Sequence, residues 1–227
     1  MAIPALGSRA SVVFDFDGTL VDSVPDVAAA LNRMLAEFDR PALALDGVRA
    51  LVGHGARYMI EGAFTATGEE AAAGQVEAAV DMFIEQYRAR PVEKTVIYPT
   101  AEEALRALLS AGLKLGICSN KPYEMILVVL SELGLSHMFC GVTGGDNVTY
   151  PKPDGRHLLE TLSLMETPAH SSVFVGDSRS DFLAARDAGV PSIGVNYGYA
   201  KDESEREMAD FRIDSLSEVV DLVIPPA

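Results

Sequence analysis

The stretch VVFDFDGTLVDS, Val12 to Ser23, joins an apolar run to two carboxylates, Asp15 and Asp17, that flank Phe16. Side chains alternate between the faces of a strand, so this spacing directs both carboxylates to one side and Phe16 to the other. Two negative charges held that close are unfavourable unless one carboxyl is protonated or a cation stands between them. The pair therefore marks a reactive site, and the strand that carries it is the reference for the rest of the chain.

Similar strand-like runs recur at residues 113–119 (LKLGICS), 138–144 (MFCGVTG), 172–177 (SVFVGD) and 191–196 (PSIGVN), with helical patterns between the later ones. Short apolar strands alternating with helices predict an α/β fold, a doubly wound parallel sheet covered on both faces. One interval breaks the alternation. From about Asp22 to Glu93 only helical patterns occur, such as VPDVAAALNRMLAEF and AAAGQVEAAVDMFIEQYRA. Ser23 is the expected N-cap of the first, with Pro25 in its opening turn. That insertion is too long for an ordinary crossover and long enough for a small helical cap. The expected division is a core of residues 1–20 and 96–227 with an inserted α-helical cap domain at 21–95. Thr100 and Glu103 fit a capping box where the chain re-enters the core, and Gly112 fits the stop of that helix.

Composition limits the partners. The 227 residues include 18 Lys and Arg against 33 Asp and Glu, a net charge of −15, and 48% are hydrophobic. Such a balance argues against a nucleic-acid surface and requires any anionic ligand to meet a local cationic pocket. Two cysteines, Cys118 and Cys140, without CxxC spacing, indicate neither a disulfide framework nor a zinc site and suit a reducing compartment. The opening MAIPALGSRA has neither a basic leader nor a sustained apolar core, and no later run approaches the ~18 apolar residues of a membrane span. It reads as a short tail on a cytoplasmic protein without a membrane partner, a monomer or homodimer.

Ligands of an open parallel sheet bind beyond the carboxyl ends of its strands. Residues just past each expected strand are Asp15, Asp17, Gly18 and Thr19; then Ser119, Asn120 and Lys121; then Asp177, Ser178 and, one turn on, Asp181, with Lys152 ahead of another helix. Carboxylates, a hydroxyl, an amide and an ammonium on one rim suit magnesium-assisted phosphoryl transfer. Magnesium favours oxygen ligands, commonly one or two carboxylates completed by water and substrate phosphate. Asp15 and Asp177 are the expected carboxylates. Asp181 has two readings, a contact to the metal or its waters, or an acid that complements the dipole of its helix. Ser119, Lys152 and backbone amides near Gly18 are placed for the phosphate oxygens, and Gly18 for a sharp turn beside them. Asp15 is assigned as the nucleophile that forms an aspartyl-phosphate, and Asp17 as the acid that protonates the leaving alkoxide and the base that then deprotonates water.

These motifs, in this order, resemble those of the haloacid dehalogenase superfamily. DFDGTLVDS resembles its first motif, CSNKP its second, Lys152 of YPKPD its third, and VGDSRSD its fourth, over about residues 11–222. The phosphoglycolate phosphatase branch is the most similar, through DFDGTLVDSVPDVAAALN, VGHGA and SNKP. The resemblance implies a Rossmann-like core and a magnesium-dependent phosphomonoesterase acting on a small phosphate ester, 2-phosphoglycolate foremost. Pyrophosphate, sugar phosphates and nucleotides are the other substrates it implies. It also implies that the metal takes the main-chain oxygen of Asp17. Where that branch commonly reads Lys-Pro-x-Pro, this chain has KPDGR, with Asp154 and Gly155 after Lys152 and Pro153.

The cap segment LVGHGARYMI is expected to choose the organic part of the substrate. Gly53 and Gly55 allow close backbone approach, Arg57 suits a bidentate clamp on a small carboxylate, and His54 is a second candidate; each has an ordinary loop or surface reading beside it. Asn120, placed with the phosphate ligands, has a reading as a turn residue beside that one. Two rival functions remain. A phosphomutase would move phosphate within a sugar, and a non-enzymatic phosphoacceptor domain would gather similar residues but in about half the length and without a cap.

Overall fold

The structure is a computed structural model and describes residues 6, 9–72 and 74–224. Most of the expected N-terminal tail lies outside the described residues. Six strands form one parallel sheet in the order β5-β4-β1-β6-β7-β8: β1 (Ser11–Phe14), β4 (Lys114–Cys118), β5 (Gly141–Thr143), β6 (Ser172–Gly176), β7 (Ser192–Val195) and β8 (Phe211–Ile213). The antiparallel pair β2 (Val21–Asp22) and β3 (Val96–Ile97) forms a separate ribbon. All five expected sheet strands are present. The edge strand β8 and the two-residue ribbon are additions to those five, and segments so short carry no periodicity in the sequence.

Residue Val12 pairs with Leu115 on one side and Val173 on the other, which puts β1 at the centre. The order of winding reverses there, and a crevice opens beyond the strand ends at such a switch point. Alternation along β1 sorts its side chains. Val12 and Phe14 join the larger apolar core with α5 (Ala101–Ser110), α6 (Tyr123–Glu132) and α10 (Ser217–Val223). Val13 enters a second cluster with Cys118 and Phe174, against α7 (Gly155–Leu164) and α8 (Arg179–Ala188). The short α9 (Glu203–Arg206) lies between β7 and β8.

Between β2 and β3 the chain forms α1 (Val24–Glu37), α2 (Leu45–Arg49), α3 (Ala56–Thr67) and α4 (Gln75–Arg88). Their buried residues, including Leu31, Met34, Ile60 and Phe64, are continuous with the larger core. Asp26, in the first turn of α1 and 2% exposed, accepts from the backbone N–H groups of Glu93, Lys94 and Thr95 and from the Thr95 hydroxyl. One buried carboxylate thus fastens the outgoing segment of the insertion to the returning one.

Three local expectations are corrected. β1 ends at Phe14, so Asp15 and Asp17 lie past the strand. The carbonyl of Phe16 accepts from the N–H of Leu20 and Val21, which curls the chain back into a tight turn. Ser23 is the N-cap of α1 by position but makes no capping bond, because its hydroxyl donates to Asp17 Oδ1. The capping box expected at Thr100 and Glu103 is absent: Thr100 has φ 67°, and its hydroxyl pairs with Ser215 instead. A capping box does occur on α8, between Ser178 and Asp181. Gly112, with φ 85°, follows the end of α5 as expected.

Candidate active site

Beyond the end of β1, Asp15 keeps the sheet register through its N–H, which donates to the Val175 carbonyl at 2.8 Å. The residue is 5% exposed, and its carboxylate is close to two other acids. Asp15, Asp177 and Asp181 each offer an oxygen within 4.8 Å of the others, and all three residues are buried. Burial, and then the charge of Asp181, push the Asp15 carboxyl up from 3.8 to about 6, against the opposing pull of Lys152 and Ser119. Burial, Asp181 and Asp15 likewise hold Asp177 well above the ordinary range. Acids crowded away from water in this way favour a cation among them. Oδ1 of Asp15 has Lys152 Nζ 2.9 Å away as its charge partner. An all-oxygen set of three buried acids, with a single ammonium between two of them, fits a hard divalent cation.

Asp177 is positioned by the turn after Asp17 and by the segment after β7. Its Oδ2 accepts from the N–H of Tyr199 at 2.5 Å and its Oδ1 from Thr19 Oγ1 at 3.4 Å. A Cβ on Gly18, where φ is 83°, would sit 2.4 Å from Asp177 Oδ2, and one on Gly198 would sit 2.2 Å from Asp177 Cβ. Both positions must be glycine for the chain to close around this carboxylate.

Lys152 is buried and bridges two acids, with Nζ 2.9 Å from Asp15 Oδ1 and 2.6 Å from Asp181 Oδ1. Burial pulls the ammonium down, but Asp15 and Asp181 outweigh it and hold Lys152 above the ordinary lysine range. The other oxygen of Asp181 accepts from the N–H groups of Asp177 and Ser178 and from the Ser178 hydroxyl. Asp181 thus caps α8, as the second of its readings has it, and it stands beside Asp15 and Asp177 and holds Lys152. The unusual KPDGR segment starts α7, where Asp154 is the N-cap and accepts from Arg156 N–H. Gly155 is needed because a Cβ there would lie 2.6 Å from the Ala188 nitrogen. His157, fully buried, accepts the Lys152 N–H at Nδ1; burial and then Lys152 depress its pKa to about 3, so it stays neutral.

The loop after β4 brings Ser119 and Lys121 to the same cavity as Asp15 and Asp17. Several expected phosphate ligands are otherwise engaged. Both amide hydrogens of Asn120 are spent, on the carbonyls of Gly53 and Lys152. The Thr19 hydroxyl faces Asp177, and the Gly18 N–H closes the turn onto the Val21 carbonyl. Of the expected phosphate ligands, Ser119 and Lys152 line the cavity, each beside Asp15.

The cavity has two arms. One, of about 400 Å³, runs from Asp15, Asp17 and Asp177 past Lys152 and Arg179 to the cap residues Arg49 and His54. The other is narrower and apolar, between Ser119 and the cap side chains Val27, Met59, Phe83 and Tyr87. His54 reaches the rim as expected. Arg57 does not: it lies on a separate cleft, with its guanidinium ion-paired to Glu61 and Glu77 at the surface. Two acids within reach on α3 and α4 explain its turning outward. The cap cation on the Asp15 cavity is Arg49, which also pairs with Asp46 at 2.7 Å.

The model of the haloacid dehalogenase-like hydrolases matches residues 12–195. The chain belongs to this family. Among its relatives, a phosphoglycolate phosphatase from Caulobacter vibrioides is 40% identical over 210 residues, covering 92% of this chain and 89% of that protein. Another, from Agrobacterium fabrum, is 40% identical over 187 residues, 82% and 80% of the two chains. A crystal structure described as a predicted phosphoglycolate phosphatase from Haemophilus somnus 129pt superposes with a TM-score of 0.88 at 26% identity, covering 93% of this chain and 96% of that one.

In this haloacid dehalogenase-like hydrolase, sequence reasoning missed the segment after β7. Tyr197 donates to the Thr19 carbonyl and Tyr199 to Asp22 Oδ1, so two aromatic rings brace the turn that carries Asp17. The repeat YGYA was the only available signal, and it names no partner. Neither cysteine is paired, and among the described residues no helix is long and apolar enough to cross a membrane.

Proposed function

We propose that this chain is a magnesium-dependent phosphomonoesterase whose main substrate is 2-phosphoglycolate, acting in the cytoplasm. The observation that carries the reading is the meeting of Asp15, Asp17, Ser119, Lys152 and Asp177 at the carboxyl rim of one parallel sheet, facing a cavity roofed by cap residues. The names of the relatives supply the substrate. The insertion at 21–95 acts as the cap, and residues 1–20 with 96–227 act as the catalytic core.

Asp15 attacks phosphorus in line: its oxygen forms a bond to phosphorus as the bond to the ester oxygen breaks, and the electron pair leaves with that oxygen. Asp17 delivers a proton to the departing alkoxide. In the second half-reaction Asp17 takes a proton from water as the water oxygen bonds to phosphorus, and Asp15 leaves as a carboxylate. Ser119 and the ammonium of Lys152 hold the equatorial oxygens where charge is spread during transfer. Asp15, Asp177 and the main-chain oxygen of Asp17, with Asp181 at the ion or its waters, would hold the magnesium. Bound there, the ion supplies positive charge that keeps Asp15 ionised and shields the phosphoryl group from it.

Phosphate release over a panel of 2-phosphoglycolate, pyrophosphate, sugar phosphates and nucleoside monophosphates tests the substrate. The highest kcat/KM is expected for 2-phosphoglycolate, and a preference of tenfold or more for another ester would replace it. Covalent labelling lost in Asp15→Asn supports the mechanism, whereas full turnover by that variant refutes it.

A further inference from the structure

Lys121 contacts no reacting atom in that mechanism, yet all of its donors are engaged at the site. It follows β4, and its side chain is 3% exposed. Its Nζ donates to Asp17 Oδ1 and Oδ2, both at 3.0 Å, and to the hydroxyl of Tyr87, also at 3.0 Å. An ammonium has three N–H donors, so each is matched to one acceptor and the group cannot rotate without losing a bond. Two of the acceptors belong to the proton-transferring carboxylate. The third belongs to the cap.

Tyr87 lies in the last turn of α4 and is 1% exposed. Its ring lies 4.6 Å from the Lys121 nitrogen and 5.8 Å from the ring of Phe83. The adjacent Arg88 pairs with Glu124 on α6 at 2.5 Å, so this end of α4 is docked on the core. Asn120, the neighbour of Lys121, ties the cap at a second point through the Gly53 carbonyl.

We propose that Tyr87 is a positioning residue for proton transfer: its hydroxyl fixes the Lys121 ammonium, which fixes both oxygens of Asp17. The proposal rests on the phosphomonoesterase reading above. Its consequence is a link between cap closure and chemistry. With α4 lifted from the core, Lys121 loses its third acceptor, a buried donor is left unmatched, and the ammonium is free to turn, so that of the donors to Asp17 only Ser23 keeps a fixed direction. The substrate is thus attacked productively when the cap is down.

The test compares two esters that differ in their need for a proton. An alkyl phosphate such as 2-phosphoglycolate requires protonation of its leaving oxygen, whereas p-nitrophenyl phosphate releases a stable anion unaided. The rate constant for first-turnover release of the leaving group is measured at saturating substrate and magnesium, in the wild type and in Tyr87→Phe. That variant keeps the ring and its packing. The ratio of alkyl to aryl rate is expected to fall about tenfold in Tyr87→Phe, the size of one hydrogen bond to a charged group. An equal loss on both esters would mean a structural role and overturn the proposal. A cycle with Lys121→Met gives a second check, since the Tyr87→Phe effect on the ratio should vanish in that background. An effect of undiminished size there overturns the route through Lys121. Absence of enzyme labelling in the wild type would be a separate result that removes the phosphatase reading and this inference with it.

Discussion

The ammonium of Lys152 lies 2.6 Å from Oδ1 of Asp181, an acid 29 positions further along the chain. The same ammonium stands 2.9 Å from Asp15, so Asp181 helps decide where Lys152 points relative to the Asp15 carboxylate. Loss of the Asp181 carboxylate removes the nearer of the two acids on Lys152 and disturbs the acceptor of three donors at the start of α8, all of them buried or partly buried. Asp181→Asn turns an amide toward Lys152 and weakens the α8 cap. It is expected to lower stability by about 2–4 kcal/mol in urea unfolding and kcat at least tenfold. A variant with wild-type kcat would show that Lys152 is aimed by something else.

The crowding of acids gives metal-free stability a definite pH dependence. Asp15 is raised from 3.8 to about 6, so between those values the native state binds more protons than the unfolded chain, and stability falls as pH rises through the window. Such a displacement corresponds to about 3 kcal/mol at neutral pH. Asp15→Asn removes the penalty. Its metal-free Tm should exceed that of the wild type at pH 7.5, and the gain should shrink at pH 4.5. A gain that grows on acidification contradicts this origin.

Cation binding should reverse the same penalty. Magnesium is expected to raise the wild-type Tm at pH 7.5 more than at pH 5, because protons compete for the Asp15 and Asp177 carboxylates. Asp177→Asn should abolish most of the rise, and chelation should stop phosphate release while leaving the circular dichroism spectrum folded. Equal metal-induced shifts at both pH values would place the ion elsewhere.

Gly198 offers a steric test of the same carboxylate. A methyl group there would meet Asp177 Cβ at 2.2 Å, and the loop between Tyr197 and Tyr199 has no slack, since both hydroxyls are bonded. Overpacking of this kind typically costs about 1–3 kcal/mol. Gly198→Ala should therefore unfold at lower temperature and show a weakened response to magnesium. Wild-type magnesium affinity would mean that Asp177 does not depend on this loop.

Arg57 makes the opposite prediction. Its ion pairs with Glu61 and Glu77 are solvent-exposed, and such pairs contribute about 0–1 kcal/mol. Arg57→Ala should change kcat/KM for 2-phosphoglycolate by less than twofold and stability by less than about 1 kcal/mol. A selective loss for carboxylate-bearing esters, measured against p-nitrophenyl phosphate, would return Arg57 to the substrate.

The parallel sheet, the helical insertion and the acids, hydroxyl and lysine at the rim are all legible in the residues alone. Hydrophobic alternation fixes which face of a strand is buried, and strand ends in a doubly wound sheet converge on one crevice, so linear position translates into place. Tertiary structure alone decided who pairs with whom. Lys121 reaches Asp17 across 104 positions and meets Tyr87 from the cap, Tyr199 closes on Asp177, and Arg57 turns to Glu77 rather than to the cavity. The physical reason is that a side chain's hydrogen bonds and charge contacts depend on distances set when separate elements pack, and the local sequence around each residue holds no record of those distances.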